Sequence, residues 1–190
     1  MKKIIIGALV GGIIIFICQT LSWTILDLHR PANQYTAKQD EIMNFLNGQL
    51  TEDGSYFLPT YPPGASNEVM EQYMKQAEGK PWAVIAYHKN MKMEMGMNIF
   101  RGLIVDIIMV GLFCWILSAF GNPRFGNVFL ASLLVGLIVF LNVPYTIHIW
   151  YETFDLGASL IDALVGWGLV GVWLGWWYGT RATKVNVTIR

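Results

Sequence analysis

Residues 1–23, MKKIIIGALVGGIIIFICQTLSW, decide the fold. Two lysines followed by an apolar run suit either a secretory signal or a permanent membrane span. The apolar run is longer than a signal core, and no small-x-small cleavage site follows it. Ile17 precedes Cys18, where a lipoprotein signal needs a small residue. The segment therefore reads as a retained span, and the rest of the chain is read with lipid as its solvent.

Working outward, three further apolar stretches follow, so that the expected spans are about 4–26, 99–120, 128–145 and 158–178. Each is near the roughly 20 residues a helix needs to cross about 30 Å of hydrocarbon. The composition agrees: 54% of residues are hydrophobic and 14% charged, whereas a soluble domain carries about a quarter charged residues. Thirteen basic and thirteen acidic residues cancel, so no overall charge steers the chain to nucleic acid. At 190 residues one membrane domain, residues 1–190, is expected. The fold class that follows is an all-α membrane protein: a four-transmembrane-helix bundle with a partly helical extracytoplasmic loop between helices 1 and 2.

The sidedness comes from charge. Lys2 and Lys3 precede the first span, Arg124 sits in the turn between the second and third, and Arg181, Lys184 and Arg190 follow the fourth. The connection after the third span carries Glu152 and Asp155 and no Lys or Arg. The positive-inside rule then puts both termini in the cytoplasm and residues 28–97 outside, in a multi-pass protein of the cytoplasmic (inner) membrane. Trp23, Trp82, Trp150 and Tyr151 fall near the outer interface, and Trp176, Trp177 and Tyr178 near the inner one, as anchoring aromatics do.

The outer segment has punctuation of its own. Thr36 is positioned to cap a helix through residues 36–50, with Ile42, Phe45, Leu46 and Leu50 on one face. Asp53-Gly54 marks a turn, and Pro59, Pro62 and Pro63 stiffen the chain that follows. Ser66 caps a second expected helix ended by Gly79. Beyond Pro81, WAVIAYH suits a short strand or the start of a long second span. Neither loop helix is stable alone, so the two are expected to pack on each other and on the bundle.

Polar groups inside the spans are functional candidates by default. Gln19, Asp106, Asn142 and Asp162 come one from each span at comparable outer-leaflet depth. They suit either interhelical hydrogen bonding, with Asp106 helped by Arg101 or by Asp27 and Arg30, or a proton or cation site. Gly171, Gly175 and Gly179, preceded by Gly168, form a small-residue stripe on the fourth span that admits a close helix partner. That partner is the first span, with its Gly7, Gly11 and Gly12, or a second copy of the protein. Cys18 and Cys114 differ in depth by roughly 10 Å at about 1.5 Å rise per residue, too far to bridge.

Residues 88–98, HKNMKMEMGMN, place Met91, Met93, Met95 and Met97 at alternate positions behind His88. Extended, the four thioethers share one face and suit Cu(I); helical, they split into two pairs on opposite sides and act as apolar packing. His29 and His148 lie at helix ends, poorly placed as axial haem ligands. No phosphate-cradling loop, HExxH, CxxC or nucleophile elbow is present.

The stretches SWTILDLHRP (22–31), SYFLPTYPPG (55–64) and GKPWAVIAYHKNM (79–91), with the glycine-patterned last span, resemble a class of uncharacterised bacterial four-span inner-membrane proteins. The resemblance covers most of the chain and implies an architecture without an assigned activity, cofactor or active residue. The expectation is a non-enzymatic accessory or scaffold protein without a cofactor, meeting the lipid bilayer and a protein partner or second copy through helix 4 or the 28–97 cap. The alternative is a Cu(I)- or proton-binding or transport protein using the outer-face Met and His residues and the intramembrane aspartates.

Overall fold

A computed structural model describes residues 1–121 and 123–179. Arg181, Lys184 and Arg190 lie outside the described residues. The chain is mostly helical with little sheet, and it divides into two compact units, Met1–Gln34 with Glu94–Arg190, and Tyr35–Met93.

Among the described residues, the first unit holds four helical stretches long and apolar enough to cross a membrane: Lys2–Ile25, Met95–Ser118, Phe125–Trp150 and Leu156–Tyr178. The first is α1 (Lys2–Thr20) continued by one wide π turn, Leu21–Ile25. α4 (Met95–Ser118) is unbroken. α5 (Phe125–Phe140) runs through a second π turn, Leu141–Tyr145, which accommodates Pro144, into the short α6 (Thr146–Trp150). Proline cannot donate to the helical ladder, and the wider turn absorbs the lost bond. α7 (Leu156–Tyr178) completes the unit.

These helices pair as α1 with α4 and α5 with α7, and α1 against α7 joins the pairs. Glycine decides how closely they approach. A Cβ on Gly12 would stand 2.6 Å from the Ile107 Cα, and one on Gly11 2.6 Å from Val110 Cγ1, so α1 meets α4 almost backbone to backbone. The Gly171 and Gly175 stripe of α7 faces α5, where an added Cβ would meet Ser132 at 2.9 Å and Phe125 at 2.7 Å. Gly179 continues the stripe toward Phe125. The sequence offered the first span or a second copy as the partner of that stripe; the third apolar stretch takes it instead. Bulky Phe125 and Phe129 on α5 fill the groove that the glycines open.

The core of this unit is Val110, Phe113, Cys114 and Leu117 of α4, Val128 of α5, and Trp167, Val170 and Leu174 of α7, with Ile15 of α1. Ser132 Oγ donates to the Trp167 carbonyl at 2.6 Å, satisfying a buried hydroxyl across α5 and α7. Trp173 Nε1 donates to the Gly7 carbonyl at 3.3 Å and Trp177 Nε1 to the Lys3 carbonyl at 2.9 Å, tying the end of α7 to the start of α1. Cys18 and Cys114 are both free thiols.

The second unit contains α2 (Gln39–Gln49), β1 (Gly54–Leu58), α3 (Asn67–Ala77) and β2 (Ala83–Tyr87). β1 and β2 pair antiparallel, with Gly54 opposite Tyr87 and Leu58 opposite Ala83. WAVIAYH is thus a strand, and Gly54, read as part of a turn, begins its partner. Tyr87 is buried and donates to Asn47 Oδ1 at 2.8 Å, which fixes α2 to the sheet. Ser66 caps α3 by accepting from the Val69 amide, whereas Thr36 Oγ1 accepts from Lys38 and leaves α2 to begin at Gln39. The expected packing of the two loop helices on each other is not found as an extensive interface. Phe45, Met43 and Ile42 of α2 and Met74 and Tyr73 of α3 remain exposed.

Candidate functional site

The most organised polar site in the first unit centres on His29. The π turn at Leu21–Ile25 ends α1, with the Leu26 amide bonded to the Leu21 carbonyl at 2.9 Å and that of Leu28 to the Ser22 carbonyl at 3.0 Å. Asp27 then takes a left-handed conformation, φ 50°, which aspartate tolerates better than most residues. Pro31 stiffens the 3-10 turn Arg30–Ala32. The chain is thereby folded back on itself, and His29 is buried to 4% exposure instead of pointing into water.

Its two ring nitrogens meet two carboxylates of the last helix. Nδ1 lies 2.7 Å from Asp155 Oδ2, and Nε2 lies 3.0 Å from Asp162 Oδ2. Asp155 is the N-cap residue of α7 and Asp162 stands seven residues on, a spacing of nearly two turns that returns both side chains to one stripe. Trp23 stacks on the imidazole, centroids 3.9 Å apart and planes within 4°. Burial alone pulls the imidazole pKa down; the hydrogen bonds the ring donates to Asp155 and Asp162 outweigh it and raise the pKa above the ordinary 6.5. Only the imidazolium can donate from both nitrogens at once, so this geometry selects the charged ring.

One cavity lies against this triad, and a second shares Gln19 and Met109 with it in their walls. The first, about 430 Å³, is bounded by all four long helical stretches and reaches from His29 and Asp162 to Trp167. The other, about 510 Å³, lies along α1 and α4 and is lined by Gln19, Asn98, Arg101 and Asp106. Asp106 is 3% exposed, and among the described residues its Oδ2 has no hydrogen-bond partner. Arg101 shares the cavity but makes no ion pair with it, and Arg30 pairs with Asp27 at 3.9 Å. The ionic help expected for Asp106 from either arginine is absent.

Of the four polar residues expected in one layer, Gln19 therefore neighbours Asp162 on one side and Asp106 on the other. Asn142 falls on the second π turn, is exposed and lines neither cavity. The extra residue in a wide turn rotates the side chains beyond it relative to a regular helix, and a 3.6-residue count cannot foresee that. Sequence reasoning missed His29 as the hub and gave Asp155 a part only in the topology. The available signal was a histidine just past the first span and two aspartates seven apart on the fourth, all assigned to one side by charge.

The methionine stretch is helical only from Met95. Met91, Met93, Met95 and Met97 are all exposed, at 87%, 75%, 66% and 55%. Met95 and Met97, two residues apart on a helix, point in different directions. His88 is exposed and its Nδ1 lies 3.9 Å from Asp53 Oδ2. Among the described residues, no group of three or more His, Cys, Asp or Glu side chains is placed to hold a metal ion. No protein-family model, curated protein or solved structure matches the chain.

Proposed function

We propose that the chain is a four-span integral protein of the bacterial cytoplasmic membrane, of the four-span class its motifs resemble. Both termini lie in the cytoplasm and residues 28–97 outside, and the protein acts as a non-enzymatic accessory or scaffold subunit. The carrying observation is that only 22–33% of each long apolar stretch is buried inside the protein. So much uncovered apolar surface on four helices of this length suits hydrocarbon and not water. Lys2, Lys3 and Arg124 at one end, against Glu152 and Asp155 at the other, support the orientation.

The partner reading rests on the second unit. Phe45 of α2 is 67% exposed and Met74 of α3 57%, so that among the described residues each helix carries exposed apolar side chains. The glycine stripe of α7 is already occupied by α5, which leaves α2 and α3 as the favoured contact for a protein partner. Fractionation and a reporter fused at residue 179 test the first part: the protein should resist alkaline extraction from membranes, with the reporter active on the cytoplasmic side. Native purification tests the second. A partner or second copy should co-purify and be lost in Phe45→Asp with Met74→Asp; a free monomer under mild extraction would end the scaffold reading.

A second reading has one observation behind it, the unpartnered Asp106 Oδ2 facing a cavity that also holds Gln19 and Arg101. A buried carboxyl kept without a partner suits proton binding. Infrared titration of the protein in lipid should show a carboxyl band that disappears in Asp106→Asn. A spectrum unchanged by that substitution removes the reading.

A further inference from the structure

The cavity between the four long stretches is a space the fold keeps open. Gly166 of α7 lies in its wall and is buried, yet a Cβ built there would meet nothing within 4 Å. Every other buried glycine of the four long stretches has a neighbour inside 3.4 Å. Close packing is the rule in protein interiors, and about 430 Å³ is within the range of small-molecule sites.

Its lining changes character along its length. Ile15, Val139, Phe140 and Trp167 give one part an apolar wall. The other part is walled by Gln19, Ser159, Asp162 and His29, with the Trp23 ring stacked on the imidazole. His29 engages a carboxylate with each nitrogen. One imidazolium against two carboxylates leaves one net negative charge on the triad, with His29 and Asp162 in the cavity wall and Asp155 behind them on the other ring nitrogen. With both ring nitrogens engaged, the imidazole has no free lone pair for a metal. The cation that fits is organic: one with an apolar body for the Phe140 and Trp167 wall and a charged head for Asp162 and the indole of Trp23.

We propose that this cavity is a binding site for an amphipathic organic cation, its ammonium head against Asp162 and Trp23 and its apolar part against Phe140 and Trp167. It relies on the membrane reading above only for the route of entry, and alkaline extraction tests that reading without touching the cavity.

The probe is octyltrimethylammonium, with octanol as its neutral counterpart, measured by equilibrium dialysis against the full chain in lipid nanodiscs and against empty discs. The expected result is saturable binding of one cation per chain, at least tenfold weaker in Asp162→Asn and in Gly166→Leu, which fills the cavity. Cys18 lines the same cavity, whereas Cys114 is fully buried in the core. In the wild-type protein the cation should therefore slow alkylation of Cys18 by N-ethylmaleimide, a readout that depends on no variant folding. Three results would overturn the proposal: no saturable excess over empty discs, no protection of Cys18, or octanol bound as tightly as the cation, which would make the cavity a neutral-lipid site.

Discussion

His29 owes its position to a reversal that three neighbours enforce: the π turn before it, the left-handed Asp27, and Pro31 after it. Two carboxylates then hold it, and removing their shared partner leaves both without it. His29→Ala should therefore destabilise the fold by about 3 kcal/mol, in the range for breaking a buried ion pair, measured as a drop in the thermal midpoint in lipid or detergent. The pH dependence has a definite sign. The folded-state pKa lies above the ordinary 6.5, so the stabilisation is complete below that value and is lost as pH rises through the folded-state pKa. The thermal midpoint should fall between pH 6 and pH 9 in the wild-type protein, and the fall should vanish in His29→Gln. A midpoint that rises with pH would mean that the neutral ring is the stable partner. The hub was not legible beforehand because its bonds join residues 126 and 133 positions apart. Only the local half of it, a histidine beside a helix end, is written in one stretch of chain.

At the scale of elements, the glycines of the long helices do different work. Gly12 faces the backbone of α4 at Ile107, where nothing can move aside, while Gly48 of α2 has open space around it. Gly12→Val should cost about 1–3 kcal/mol or more through overpacking. Gly48→Ala should gain up to about 1 kcal/mol from helix propensity alone. Thermal unfolding of the two variants checks both signs. The sequence displayed the four long apolar stretches because length and hydropathy are local properties, and it displayed α3 because Ser66 and Gly79 punctuate it. It did not display β1, since GSYFL is short, opens on glycine and finds its partner only beyond α3. Nor did it display the pairing of the α7 stripe with α5: glycine spacing says that something comes close, and the facing phenylalanines that decide what are spread along another helix.

At the scale of the molecule, Lys2, Lys3 and Arg124 stand at one end of the long helices, and the aspartates that hold His29 stand on α7 at the other. The lysine and arginine bias between the two ends sets which way a fold with this polarity inserts. Lys2→Ala with Lys3→Ala and Glu152→Lys should therefore shift the population toward the inverted orientation, scored by a reporter at residue 179. No shift would show that another signal sets the orientation.

The pairing of α1 with α4 and of α5 with α7 divides the long helices into two hairpins, consecutive in the chain and met by the α1 to α7 face. Gly121, in a left-handed conformation, φ 68°, begins the turn between them. Each half can settle its own helix pair before the other is made, so severing the polypeptide there need not destroy it. Two co-expressed fragments, 1–121 and 122–190, should find one another in the bilayer and be recovered together by a tag on either piece.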